Sequence, residues 1–166
     1  MVKSKKIIVQ GSSIGIILHI GDGVFISLTD MAKFKPYDSG IVIANWLSTK
    51  YTIQFMGAWE KLHNPNFNLM EFNKIKSEAG TNGFIVSSSM WIKNTGAIGI
   101  RSSAGRYGGT FAHKDIAFEF ATWLSPEFKL FLIKEFQRLK EEENQRLALG
   151  WDVKRTLAKV NCNGTS

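Results

Sequence analysis

The residues best suited to do chemistry gather in one stretch, Gly99 to Asp115, "GIRSSAGRYGGTFAHKD". It carries Arg101, Ser102, Ser103, Arg106, Tyr107, Thr110 and Lys114, with no acidic residue between Arg101 and Lys114. A nucleotide cradle needs G-x4-G-K-[ST] between a strand and a helix, so that backbone N–H groups and the lysine surround the phosphates. Here Gly105 is followed by Arg106 and Tyr107, and no G-x-G-x-x-G opens a helix, so the spacing speaks against that chemistry. Acid–base or metal work could draw on His113, Asp115 and Glu119. Asp115 and Glu119 equally suit the acidic start and the solvated face of a helix. His19, His63 and His113 are dispersed, Cys162 is the single cysteine, and no H-x3-H or HExxH spacing occurs. No enzymatic activity, metal or other cofactor is therefore expected.

The remaining chemistry is contact with a polyanion. Phosphate oxygens accept hydrogen bonds from arginine, lysine, serine, threonine and exposed backbone N–H groups, all of which the stretch supplies. Glycines, lacking Cβ, let main chain approach a duplex. The competing reading is a hairpin whose glycines serve only turns and a bulge, with Tyr107 in the core. Net charge favours the first: +7 with a pI near 9.6 describes a surface that attracts nucleic acid, acidic lipid or an acidic partner.

Stepping outward, Ile7–Val9 and Ile14–Ile20 read as strands paired across Gly11-Ser12-Ser13, and Val24–Ser27 as a third. Thr29 suits the N-cap of a short helix through Phe34, stopped by Pro36. A second helix from about Ser39 carries Ile43, Trp46 and Leu47. A third, from about Thr52, carries Phe55, Met56, Trp59 and Leu62 at helical spacing and ends before Asn64-Pro65. Two short helices joined by a tight turn, with Lys33, Lys35 and Lys50 nearby, are compatible with a helix-turn-helix.

Phe72, Ile75 and Ala79 form one helical face ending at Gly80, and "SSSMWIKNTG" reads as a serine-capped helix closed by Gly96. From Ile98 the pattern alternates, predicting a hairpin with "SSAGR" at its tip. Lys114–Leu124 is helical. Ser125-Pro126-Glu127 then starts a long helix with Phe128, Phe131, Leu132, Phe136 and Leu139 on one face. A further apolar pattern follows at Leu147, Leu149, Trp151, Val153, Leu157 and Val160.

The lysine-rich start imitates a signal peptide, but Gln10-Gly11-Ser12-Ser13 interrupts its apolar run. No apolar run is long enough to span a bilayer. With one cysteine, a reducing, cytoplasmic location and no membrane partner are expected.

Four ordered blocks carry a family resemblance: "ISLTDMAKF", "IANWLSTKYTIQFMGAWEKLHNPNFN", "EFNKIKSEAGTNGFIVSSSMWI" and "TGAIGIRSSAGRYGGTFAHKDIAFEFATWLSPEFKLFLIKEFQRLK". From about Val24 to Lys140 the chain resembles KilA-N domains of phages, large DNA viruses and bacteria, which are similar to fungal APSES domains. The resemblance implies a module for double-stranded DNA in which a helix-turn-helix is followed by a β-hairpin wing. "ISLTDMAKF" would be its first helix, and the region from Ser39 to Trp59 its recognition element, with Asn45, Lys50 and Gln54 as contacts. "GRYGGTF" resembles the APSES wing pattern G-[KR]-[YF]-Q-G-T-W, which carries over Arg106, Tyr107 and Thr110. Gly108 stands in place of its glutamine and Phe111 in place of its tryptophan. The implied fold is α+β: a small N-terminal β-sheet, a winged helix-turn-helix-like core and C-terminal helices. Residues 1–140 would form the DNA-binding domain and 141–166 a helical, frayed tail. The implied role is a transcriptional regulator or antirepressor-like module. The alternative is a protein-interaction scaffold, self-associating or docking a partner through its C-terminal helix.

Overall fold

Three antiparallel strands open the chain: β1 (Val2–Val9), β2 (Ser12–His19) and β3 (Gly23–Ser27). The computed structural model describes residues 2–19, 23–106 and 108–163, with backbone alone for Val2, Leu18, His19, Cys162 and Asn163. Alternation along β1 and β2 turns Ile7, Val9, Ile14 and Ile16 inward and leaves Ile8 exposed. The two-residue turn between them, Gln10-Gly11, has positive φ at both positions, the conformation that suits the twist of a tight hairpin.

Five helices follow: α1 (Leu28–Ala32), α2 (Ser39–Leu47), α3 (Lys50–His63), α4 (Leu69–Glu78) and α5 (Ser88–Thr95). The predicted hairpin is present as β4 (Ile100–Ser103) and β5 (Gly109–His113), and α6 (Lys114–Leu124) and α7 (Pro126–Asn163) complete the chain. The fold is α+β. The hairpin is not separate from the N-terminal strands, however. β5 pairs with β3 through Phe25↔His113, Ile26↔Ala112 and Ser27↔Phe111, giving one five-stranded antiparallel sheet in the order β1-β2-β3-β5-β4.

Most helix ends follow from local chemistry. Thr49, Asn68, Ser87 and Ser125 each accept a backbone N–H of the first turn, and Gly96 ends α5 in the left-handed region at φ 67°. Two expectations change. The cap of α1 is Ser27, whose hydroxyl accepts from Asp30 N at 3.1 Å, and not Thr29. And α3 begins at Lys50, with Leu62 on its exposed side, because the buried face runs through Thr52, Ile53, Met56, Gly57, Trp59 and Glu60 and turns away from position 62.

The first of two units, residues 1–132, holds the core. Trp46 and Phe120 meet at 4.9 Å between ring centroids, and Phe34 lies 5.2 Å from Phe128. A second aromatic group, Phe67, Phe72 and Trp91, joins α4 and α5. Apart from Phe34, which is exposed, each of these rings contributes about 1.5–3 kcal/mol by its burial. Gly57 lets α3 approach this group: a Cβ there would lie well inside contact with the Phe72 ring. The second unit, residues 133–166, is helical through Asn163, and 144–161 are exposed along their whole length. Among the described residues no helix is long and apolar enough to cross a membrane.

Candidate nucleic-acid interface

Two elements carry the residues singled out in the sequence. The first is the pair α2–α3, joined only by Ser48 and Thr49. Its tight turn is braced locally: Ser48 Oγ donates to Ala44 O at 2.6 Å and accepts Val86 N at 2.7 Å, while Thr49 Oγ1 donates to Trp46 O at 3.0 Å. The apolar side chains Val42, Ile43, Trp46, Leu47, Ile53 and Met56 turn inward, while Ile41, Tyr51 and Leu62 stay exposed beside the polar residues of the pair. Asn45 on α2 is exposed, and so are Lys50 and Gln54 on α3. Lys50 and Gln54 stand four residues apart, one above the other on a single helical face.

The second element is the β4–β5 hairpin, in the register Ile100↔Ala112, Arg101↔Phe111, Ser102↔Thr110 and Ser103↔Gly109. Ser102, Ser103 and Arg106 are exposed at and beside its tip. The Arg101 guanidinium lies 4.0 Å from the centroid of the Phe25 ring, which holds it over the sheet by cation–π attraction. Lys114 opens α6 directly after β5. Thr110 is buried, and its hydroxyl sits 3.5 Å from those of Ser88 and Ser102, so it braces the hairpin against α5. Tyr107 lies outside the described residues. The tip admits no side chain at Gly108, where a Cβ would meet the Ser103 carbonyl oxygen and the Ala104 backbone.

Two anchors fix the hairpin. At its entrance, the buried Glu60 carboxylate accepts Gly99 N at 2.7 Å and Ile98 N at 3.0 and 3.1 Å, and takes Asn64 Nδ2 at 3.0 Å. A buried carboxylate this well supplied with donors acts as a rivet between α3 and the start of β4. Along its inner strand, Thr29 Oγ1 accepts Thr110 N at 2.9 Å, tying β5 to α1.

Where β5 becomes α6, His113 is the N-cap: its Nδ1 accepts Asp115 N at 3.2 Å. Its ring lies edge-on to Phe25 and tilted against Trp59 and His63, and the Asp115 carboxylate accepts from Trp59 Nε1 at 3.2 Å. Burial lowers the His113 pKa below its ordinary value. The Asp115 carboxylate opposes this, and Lys114 and His63 add to the lowering. His113 and Asp115 therefore serve as helix cap and brace. Among the described residues no group of three or more His, Cys, Asp or Glu side chains could hold a metal ion.

The structure thus collects Arg101, Ser102, Ser103, Arg106 and Thr110 on one hairpin with Lys114 at its end, and Asn45, Lys50 and Gln54 on a helix pair. Sequence reading missed the roles of Glu60, Ser88 and Phe25. No local signal marks them, because their partners lie 38 or 39, 22 and 76 residues away in the chain.

A family model described as the KilA-N domain matches residues 9–142, most of the chain and from an earlier start than the Val24 of the sequence resemblance. No curated protein and no solved structure matches.

Proposed function

Because the chain belongs to the KilA-N domain family, a DNA-binding type of domain, we propose that it is a regulator, of transcription or in the manner of an antirepressor, that grips double-stranded DNA with α3 and the β4–β5 wing. The observation that carries this reading is the division of exposed donors between two braced elements. Arg106, Ser102 and Ser103 stand on the hairpin, and Lys50 and Gln54 on one face of α3. On this reading Arg101, Arg106, Lys114 and Lys50 neutralise phosphates, and binding is driven by released counterions. Asn45 and Gln54 are the side chains able to read base edges, since amides pair with adenine in the major groove.

The test is a titration of a random-sequence duplex by fluorescence anisotropy at several salt concentrations, with the wild type beside Arg106→Ala/Lys114→Ala. Each phosphate contact adds roughly 0.9 to the slope of log affinity against log salt, so the double variant should lose about 1.8. A folded protein that fails to bind at low salt would overturn the reading.

A further inference from the structure

One cleft in the first unit holds a carboxylate without a partner. Glu119 is part-buried there, and among the described residues no hydrogen bond or ion pair reaches it. The cleft has a volume of about 330 Å³ and lies between α6 and the junction of α2 with α3. On α6, Thr122 and Trp123 follow Glu119 by three and four residues, so all three share one helical face. The opposite wall is Trp46, Tyr51 and the hydroxyls of Thr49 and Thr52, which lie 2.7 Å apart. A carboxylate in this position has shed part of its water without a compensating bond, a cost that a cation in the cleft would offset.

The walls select the chemistry of that cation. Trp46 is buried at 1 % exposure, while Tyr51 and Trp123 keep 66 % and 42 %, so the first floors the cleft and the other two edge it. A bare metal ion would find one carboxylate where it needs several oxygen ligands. Aromatic faces beside a carboxylate instead attract an organic cation, through the ring quadrupole and the ion pair together. A guanidinium suits this better than an ammonium, because it lies flat along an indole, is more weakly hydrated and forks onto a single carboxylate. Thr122 Oγ1 donates to Phe118 O at 2.9 Å, which leaves it lone pairs to receive a further N–H. Ligand pockets span roughly 300–1,000 Å³, so this cleft has room for one side chain and little more. Its lining holds no lysine or arginine, so the α-carboxylate of a free arginine would find no counter-charge in it. Lys50 lies outside the lining, on the face of α3 that carries Gln54. We infer that the cleft is a docking site for an arginine side chain of a protein partner, with Glu119 receiving the guanidinium and Trp46, Tyr51 and Trp123 enclosing it.

This inference does not rest on DNA binding. The net charge of +7 repels a cationic peptide in general, so attraction must come from the cleft itself.

The test uses the full chain without DNA and a blocked tripeptide, acetyl-Gly-Arg-Gly-amide, followed by nuclear magnetic resonance through the indole N–H signals of Trp46 and Trp123. Both signals should shift, with a dissociation constant on the order of 1 mM. The same peptide with citrulline keeps the shape and lacks the charge, and the one with lysine keeps the charge and lacks the fork. Each should bind roughly tenfold more weakly. Glu119→Gln should cost the arginine peptide roughly tenfold and leave the citrulline peptide unaffected, with a circular dichroism spectrum that matches the wild type. Trp123→Leu removes an aromatic wall with Glu119 in place and should also weaken the arginine peptide. Equal binding of the citrulline peptide overturns recognition of charge, and equal binding of the lysine peptide overturns the guanidinium. Tighter binding of free arginine than of the blocked peptide overturns a protein partner. Binding untouched by Glu119→Gln, or indole signals that stay fixed well above millimolar peptide, overturns the whole inference.

Discussion

Thr29 Oγ1 accepts the backbone N–H of Thr110 at 2.9 Å, so the first short helix holds the inner strand of the wing across 81 residues of chain. Thr29→Val keeps the shape and removes the acceptor. The Thr110 amide, which is partly buried, then loses its partner at a cost of about 1–2 kcal/mol. Chemical denaturation should show that loss, and hydrogen exchange should quicken at Thr110 before it does in the helices. Unchanged exchange at that amide would assign the bond no role in holding the wing.

Glu60 supplies a stronger constraint. Glu60→Gln can keep an amide oxygen on the N–H groups of Ile98 and Gly99, but its NH2 then faces Asn64 Nδ2, donor against donor. The expected destabilisation is about 2–4 kcal/mol, from a buried charge-assisted network left partly unmade. It should appear as a lower denaturation midpoint with an unchanged denaturant slope.

Gly57→Ala separates propensity from packing. Alanine favours a helix interior by about 1 kcal/mol over glycine, yet its methyl group would overlap the Phe72 ring. Overpacking of this kind costs about 1–3 kcal/mol, so the substitution should destabilise on balance. Adding Phe72→Leu to make room should narrow the difference between glycine and alanine at 57, as a double-mutant cycle would report.

His113 makes stability depend on pH. Its pKa is lowered in the folded state, so below the ordinary value of 6.5 the unfolded chain takes up the proton first. Its contribution is fully present above about pH 6.5–7 and is lost as pH falls through the folded pKa. The slope approaches at most about 1.4 kcal/mol per pH unit for one proton. His113→Asn retains a capping acceptor without a titrating ring and should flatten this part of the curve, measured as unfolding free energy from pH 5 to 8.

At the proposed DNA surface, Lys50 and Gln54 should fail in different ways. Lys50→Ala should weaken binding to all duplexes alike and lower the salt slope by about 0.9. Gln54→Ala should leave the slope almost unchanged and erase about 1–3 kcal/mol of discrimination at one base pair. Anisotropy on a preferred site and its scrambled counterpart compares the two. Equal effects on both duplexes from both variants would remove Gln54 from base reading.

The sequence by itself determined what short-range physics controls. The caps at Ser87 and Ser125, the glycine stop at Gly96 and the hairpin after Ile98 are settled within a few residues and were legible, whereas the first turn lies at Gln10-Gly11, one residue before the Gly11-Ser12-Ser13 expected, and Thr49 caps α3 earlier than the expected start near Thr52. Also legible were the basic charge and the family blocks. Only the tertiary structure decided which of these pieces meet. Pairing of β3 with β5 merges two apparent sheets into one, since a strand edge carries no sequence mark of its partner. Ser27 took the cap of α1 because Thr29 found a backbone donor in the wing. Glu60, which no local signal marks, became the rivet beneath the hairpin. A buried carboxylate is tolerated only where donors converge, and here those donors arrive from 38 and 39 residues away.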